Sequence, residues 1–209
     1  MIEANWLLFF VSSLVVIATP GQDMILVMSK ALSQGTRAGV TTAAGVSVGL
    51  LGHTLLATLG LGALLRTSEW LFVALKFVGA AYLIHLGIQL VLTRSTALTA
   101  AASARYSPRQ LFMTGATSNI SNPKIAVFFF AFLPQFVAPE ATHPTVTIFV
   151  LGALFALLTF LVKGPVAVFA GRLSSWFQAR PQALLWLYRS SGMVMLGLAA
   201  KLVFSRREG

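Results

Sequence analysis

The chain has 209 residues, of which 57% are hydrophobic and 10% charged, with a formal net charge of +10. Soluble domains are about 45 to 50% apolar and about 25% charged, so this composition indicates an integral membrane protein. The basic residues lie between apolar segments instead of along one face or run, which argues against nucleic-acid binding. The absence of cysteine excludes disulfides, thiolate metal sites and cysteine nucleophiles.

Six apolar segments follow one another along the chain, and each is long enough to cross about 30 Å of hydrocarbon. They cover residues 5 to 29, 39 to 65, 69 to 92, 110 to 137, 145 to 170 and 182 to 204. The sequence therefore predicts an all-α integral membrane fold with six transmembrane helices. They form a single domain over residues 1 to 209, and nothing is left over for a soluble domain.

The longest polar and small-residue stretch, residues 93 to 109, separates three segments on each side. We interpret it as a linker between two halves, residues 1 to 92 and 110 to 209. Because three is odd, the second half is predicted to be inverted relative to the first. Pro20 and Pro123 occupy corresponding positions in the two halves, and broken helices in corresponding positions of inverted halves are typical of a transporter site.

The distribution of Lys and Arg between connections predicts the orientation in the membrane. The first, third and fifth connections carry seven of them, whereas the other side of the membrane carries four, including those of the C-terminal tail. Cytoplasmic loops are enriched in Lys and Arg. This count favours both termini outside.

Two stretches interrupt the apolar segments with helix breakers and charges: Thr19-Pro20-Gly21-Gln22-Asp23 and Asn119-Ile120-Ser121-Asn122-Pro123-Lys124. In the first, Thr19 is predicted to be an N-cap, with Pro20 at the first helical position and Gln22 completing a capping box. In the second, Asn122 is predicted to be the N-cap and Pro123 the first position. Both restarts are expected near the bilayer midplane, where irregular backbone occurs only when it is buried in protein or lines a cavity.

We expect these two breaks to form one substrate site. The positive N-terminal ends of the restarted helices bind anions, and the carbonyls freed at the breaks can accept from an ammonium. An amino acid presents both groups, with Asp23 receiving its ammonium and Lys124, together with the N–H groups after the two prolines, receiving its carboxylate. The candidate substrate-binding residues are Thr19, Pro20, Gly21, Gln22, Asp23, Asn119, Asn122, Pro123 and Lys124. The alternative is a fixed Asp23–Lys124 ion pair that joins the halves.

Proton coupling is expected at Asp23, through its protonation, and His53 is a second candidate because imidazole titrates near neutral pH. A packing role for His53 is the alternative. Lys76, Lys163 and Arg189 are interpreted as structural, with stems that extend toward the membrane surface. No cofactor and no metal site are expected. A homodimer is expected to use glycine-lined helix faces. The Gly45/Gly49 pair has the spacing that allows close helix approach, and we interpret it as tight helix packing.

The chain resembles the LysE/RhtB family of bacterial amino-acid exporters, which includes homoserine, threonine and leucine efflux proteins. The resemblance covers nearly the whole length and rests on residues 18 to 23, 35 to 49, 76 to 87, 122 to 124 and 132 to 137. Gln22 departs from it, since the family's usual T-P-G-P has proline there. The resemblance implies export of amino acids or their derivatives from the bacterial cytoplasm across the inner membrane, driven by the proton gradient.

Three other readings compete with an amino-acid exporter. A cation or metal exporter of a related superfamily would need a ligand cluster, and five acidic residues with three scattered histidines offer none that convinces. An intramembrane enzyme would need a nucleophile and base or metal ligands, and no H-E-x-x-H or G-x-S-x-G motif occurs. A structural membrane subunit would leave the two charges beside helix breaks without explanation.

Overall fold

The computed structural model describes residues 4–67, 69–93, 105–138 and 141–204. In these ranges the chain is helical apart from short connections and one isolated β-bridge between Ala4 and Val137. The helices are α1 (Trp6–Ala18), α2 (Gln22–Gln34), α3 (Thr36–Thr67), α4 (Glu69–Val91), α5 (Pro108–Ile120), α6 (Pro123–Val127), α7 (Pro144–Val168), α8 (Ala170–Ala179) and α9 (Pro181–Phe204). After α6 the chain continues through a π-helical turn (Phe128–Phe132) and a 3₁₀ turn (Leu133–Phe136).

The first predicted break is present, but its capping differs from the prediction. Helices α1 and α2 meet at a bend of 52°. The Thr19 hydroxyl donates back to the Val15 carbonyl at 2.6 Å, so it does not cap α2. Gly21 is the N-cap, with an extended backbone and no side-chain cap, and α2 begins at Gln22. The predicted Thr19 capping box is therefore wrong, and Pro20 lies in the break instead of at the first helical position.

The second break follows the sequence prediction. Helix α5 ends at Ile120 and α6 restarts at Pro123, its first residue. The Asn122 side chain caps the restart by accepting from the Lys124 N–H at 3.1 Å. Because proline lacks an N–H and has a fixed φ, it fits the first helical position without loss of a hydrogen bond.

Helix α3 packs along α2, α5 and α7, and α4 packs along α9. The α3–α5 contact is so close that a Cβ on Gly45 would overlap the Phe112 carbonyl oxygen, and one on Gly115 would overlap that of Thr42. A Cβ on Gly49 would lie 2.7 Å from the Ala116 carbonyl oxygen. The Gly45/Gly49 face is thus occupied within the chain, in agreement with the close helix approach that small residues allow.

Three described helices are long and apolar enough to cross a membrane, over Thr36–Gly60, Pro144–Val168 and Leu185–Phe204. The α1–α2 pair is a fourth if it counts as one bent span. The apolar helical stretches Lys76–Val91 and Pro123–Phe136 are shorter. The fold is that of a multi-pass, all-helical membrane protein with three or four clear spans among the described residues.

Two connections between the predicted segments contain helical residues. The predicted linker, residues 93 to 109, lies outside the described residues from 94 to 104, and its end already belongs to α5, which Ser107 and Gln110 cap reciprocally. Helix α8 occupies the connection between the fifth and sixth predicted segments. Its exposed Trp176 ring lies 5.2 Å from the Arg180 guanidinium carbon.

Candidate functional site

The two breaks touch each other. Lys124, in the first turn of α6, donates from Nζ to the Val16 carbonyl in the last turn of α1 at 3.2 Å. The same ammonium nitrogen lies 3.4 Å from where a Cβ on Gly21 would stand. Gln22 Nε2 donates to Ser118 Oγ at 3.2 Å. Stretches about 100 positions apart in sequence therefore form one polar region inside an apolar fold.

Asp23 lies at the centre of this region, in the first turn of α2, and is 3% exposed. Its Oδ2 accepts from Asn119 Nδ2 at 2.8 Å and from Lys163 Nζ at 3.4 Å. Its Oδ1 is buried and has no hydrogen-bond partner in the described part of the chain. Since an ionised carboxylate can accept about four hydrogen bonds, half of this group is available to another donor.

His53, from the middle of α3, extends the polar chain. Its Nε2 lies 3.2 Å from the Asn119 backbone carbonyl, so the nitrogen is the donor in this contact. Its Nδ1 is buried without a hydrogen-bond partner among the described residues. The series Lys163, Asp23, Asn119, His53 thus connects α7, α2, α5 and α3, and all four residues are at most 5% exposed.

Apolar clusters border this polar chain on two sides. On one side the Phe129 ring lies 5.7 Å from the His53 ring, within a cluster in which Phe128 and Phe155 stack at 4.6 Å. On the other side Met24 and Val27 of α2 belong to a second buried cluster with residues of α3 and α7. The exclusion of water by these clusters strengthens the electrostatic interactions of the buried charges.

Lys163 is not among the predicted site residues but lies in this polar chain. The interpretation that it extends toward the membrane surface is wrong, because it is 5% exposed and turned toward Asp23. A signal was available in the sequence: Gly164 and Pro165 follow it directly, so it lies beside helix breakers as Asp23 and Lys124 do. Pro165 lies inside α7, where the missing N–H leaves a helix carbonyl without its usual donor.

The alternative of a fixed Asp23–Lys124 ion pair does not match the structure, which pairs Asp23 with Lys163. Lys124 instead bonds a carbonyl that the α1 break leaves free. Two lysines and one aspartate therefore converge in this region, a formal charge of +1. Such an excess of positive charge in a buried region favours an anionic group.

The two restarted helices offer different N-termini. That of α2 has no side-chain cap, and the Lys124 ammonium lies beside its N-cap residue, Gly21. That of α6 is already capped, because Asn122 takes the Lys124 N–H. The prediction that both ends present free N–H groups is therefore wrong for α6, and the open anion-binding end is that of α2.

The predicted site residues differ in exposure. Thr19, Pro20, Asp23, Asn119 and Asn122 are buried, whereas Gln22 and Pro123 are exposed and Gly21 and Lys124 are partly buried. A groove of about 620 Å³ between α2 and α5 begins at the exposed side. Most of its lining surface is apolar, although six of its eight residues carry a hydroxyl or amide group. The residues are Gln22, Ile25, Leu26, Ser29, Thr114, Thr117, Ser118 and Ser121.

Among the described residues, no group of three or more His, Asp or Glu side chains is arranged to hold a metal ion. The polar groups of the site are instead one carboxylate, two ammonium groups, an amide and an imidazole, and all but the Lys124 ammonium belong to buried residues. Groups of these kinds can form hydrogen bonds and ion pairs with a small polar molecule or exchange protons with it.

Comparison with known proteins gives a consistent result. The family model described as LysE type translocator matches residues 14–206. An uncharacterized membrane protein of Pseudomonas aeruginosa is 31% identical over 90% of this chain and 89% of its own length. The homoserine/homoserine lactone efflux protein of Salmonella typhimurium is 30% identical over 96% of this chain and 97% of its own length. The leucine efflux protein of Klebsiella pneumoniae is 26% identical over 95% of this chain and 94% of its own length.

No solved structure matches the chain. The family match covers both breaks and α7, and the matched relatives are similar over nearly their full lengths. The chain therefore belongs to the LysE type translocator family and is a membrane transporter, not an enzyme.

Proposed function

We propose that this protein exports amino acids or amino-acid derivatives from the bacterial cytoplasm across the inner membrane, driven by the proton gradient. The proposal rests on the buried Asp23 carboxylate, one oxygen of which has no partner in the described region. Asp23 lies in the first turn of α2, whose uncapped N-terminus lies beside the Lys124 ammonium. The names of two matched relatives, homoserine/homoserine lactone efflux protein and leucine efflux protein, agree with this substrate class.

The proposed binding mode places the two charged groups of an amino acid on opposite charges. The substrate ammonium donates to Asp23 Oδ1, which is free of protein donors in the described region. The carboxylate accepts from the uncapped N–H groups at the start of α2 and from Lys124 Nζ, which uses one of its three donors on Val16. Both partners lie at the first turn of α2, so a molecule as small as an amino acid can reach them together.

The other predicted residues surround this proposed binding site. Thr19, Pro20 and Gly21 form the break that leaves the α2 terminus open, and Gln22 lies at its exposed edge. Asn119 orients the carboxylate through its 2.8 Å hydrogen bond, and Asn122 and Pro123 set the start of α6 that carries Lys124. The groove between α2 and α5 extends from Gln22 to Ser29 beside the site.

In the proposed architecture the six apolar segments cross the membrane as two inverted halves with both termini outside, and access alternates around the touching breaks. The coupling proton is bound within the buried polar chain that contains Asp23 and His53. A homodimer would have to use surfaces other than the Gly45/Gly49 face, which packs against α5.

Counterflow in liposomes tests the function. Purified protein is reconstituted into vesicles loaded with one unlabelled amino acid, and uptake of the same labelled amino acid is measured for the standard amino acids, homoserine and homoserine lactone. We expect transient accumulation for at least one of them, and faster efflux when protons can flow inward. The matched control is Lys201→Met, an exposed lysine near the end of α9. Absence of counterflow for every compound would contradict the proposal.

A further inference from the structure

Lys163 holds Asp23 by a loose contact. Its Nζ lies 3.4 Å from Oδ2, whereas charge-assisted N–H···O bonds are typically about 2.7 to 2.9 Å. It shares that oxygen with Asn119, which holds it more closely at 2.8 Å, and the other oxygen has no partner in the described region. A cation that binds the free oxygen therefore competes with Lys163 for the single negative charge of Asp23 and leaves the Asn119 hydrogen bond in place.

The charges around Asp23 link this competition to the release of a proton from a lysine. Lys124 and Lys163 are both within electrostatic range of Asp23 and of each other. With both lysines charged, Lys124, Lys163 and Asp23 together carry a net charge of +1. A zwitterionic amino acid adds no net charge, and its ammonium would place a third cation beside the one carboxylate. Release of one proton from a lysine removes this excess and brings the occupied site to neutrality.

We propose, on the basis of the proposed function, that Lys163 and not the Asp23 carboxyl group carries the coupling proton. The substrate ammonium binds Asp23 Oδ1 and replaces Lys163 as the cation that neutralises Asp23. A Lys163 N–H bond breaks with its electron pair remaining on nitrogen, and the proton leaves to the cytoplasm. After the substrate departs outside, the neutral amine takes up a proton from that side and binds Asp23 again. One cycle moves one amino acid out and one proton in.

The surroundings of Lys163 single it out for this role. Helix α7 packs against α1, α2, α3, α8 and the 3₁₀ turn, and α1 and the 3₁₀ turn carry no titratable side chain. Asp23 faces Lys163 from α2, and Lys124 lies nearby on α6. His53 on α3 contacts Asn119 instead. The other described charged residues on these helices lie elsewhere: Lys30 over the Tyr106 ring, and Arg37 and Arg172 on the exposed surface.

Proton release on substrate binding is the first test. L-homoserine or L-leucine, whichever gives counterflow, is added to detergent-solubilised protein in weak buffer with a pH indicator. We expect the wild type and the control Lys201→Arg to release about one proton per bound molecule. Lys163→Arg should release none, because a guanidinium does not lose its proton near neutral pH. Its substrate affinity should fall about tenfold or more, since the permanent charge remains at Asp23.

Infrared difference spectra of the wild type, recorded with and without substrate, give a second test that needs no variant. If Lys163 carries the proton, Asp23 is ionised in both states and no protonated carboxyl band disappears on binding. Wild-type-like proton release by Lys163→Arg, no release by the wild type, or a protonated carboxyl band lost on binding would overturn the inference. Amino-acid counterflow in the same preparation would then leave the proposed function standing, whereas its absence would contradict that function itself.

Discussion

The Lys163 ammonium nitrogen lies 3.4 Å from Asp23 Oδ2, although the two residues are 140 positions apart in sequence. This ion pair connects the first turn of α2, directly after one break, to the part of α7 that contains Gly164 and Pro165. Asn119, at the end of α5, binds the same oxygen. Two residues of the second half of the chain therefore bind one carboxylate of the first half. A change at that carboxylate alters the contacts between the two halves.

Asp23→Asn tests this central position. The substitution removes the charge that we assign to substrate binding and leaves Lys163 as a buried cation without its carboxylate, so transport should be lost. Breaking a buried ion pair from one side costs about 3 to 5 kcal/mol, and the thermal unfolding midpoint in detergent should fall accordingly.

The double variant Asp23→Asn/Lys163→Met separates the two effects. Replacing both members of a buried ion pair by uncharged groups is often neutral for stability, so the unfolding midpoint should return toward the wild-type value. Counterflow should remain absent because Asp23 is still missing. A double variant that transports like the wild type would show that Asp23 does not bind the substrate.

Gln22→Pro restores the T-P-G-P pattern usual in the family, and the structure predicts that it is tolerated. Gln22 is the first residue of α2, where a proline costs no hydrogen bond, and Gly21 before it is extended, as the residue preceding a proline must be. The loss is the 3.2 Å contact of Gln22 with Ser118 at an exposed edge. We expect the free energy of unfolding to change by less than about 1 kcal/mol.

Ile25→Pro is the matched contrast, one turn further along α2. The Ile25 N–H donates to the Gly21 carbonyl at 3.0 Å, and its side chain is 44% exposed, so the substitution acts mainly on the backbone. Proline inside a helix costs about 3 kcal/mol. Equal unfolding midpoints for the two proline variants would show that α2 does not begin at Gln22.

The positions of the two helix breaks can be predicted from the sequence because their signals are local. Pro20 and Pro123 each stop a helix wherever the rest of the chain lies, and Asn122 caps α6 through a contact only two residues away. The Thr19 cap was predicted by the same rules and is wrong, since its hydroxyl found the Val15 carbonyl behind it. Two local hydrogen bonds of similar strength compete there, and a pattern of residue types does not decide between them.

The partners of buried charges cannot be predicted from local sequence signals, because they depend on the packing of helices that are distant in sequence. The sequence predicts that Asp23 and Lys124 are intramembrane charges, but the direction of the Lys163 side chain follows from how α7 lies against α2 and α3. A lysine a few residues from a helix end can extend outward or turn inward with the same stem length. The sequence contained the Gly164-Pro165 signal beside it, but not the rotation of α7 that turns Lys163 toward Asp23.

Gly45→Ala tests the close α3–α5 contact that brings His53 and Asn119 together. The added methyl would overlap the Phe112 carbonyl, so the helices must separate, at a cost of about 1 to 3 kcal/mol in unfolding free energy. Gly197→Ala on α9 is the control, since nothing lies within 4 Å of its added Cβ. It should be neutral or stabilising by up to about 1 kcal/mol, as alanine is favoured over glycine inside a helix. Thermal unfolding in detergent compares the two, and equal midpoints would contradict the close contact.

Lys124→Met tests whether the ammonium beside Gly21 holds the substrate carboxylate. Two matched pairs of compounds differ mainly in that group: L-homoserine with homoserine lactone, and L-leucine with leucinamide. Inhibition of counterflow should weaken about tenfold or more for the two carboxylates, since a hydrogen bond to a charged group contributes about 1.5 to 3 kcal/mol. It should change little for the lactone and the amide, which retain only the amino group that Asp23 binds. Lys201→Met should affect neither kind of compound. Equal losses for carboxylates and their uncharged counterparts would assign Lys124 to the structure of the α1 break, where it already bonds Val16, and not to the substrate.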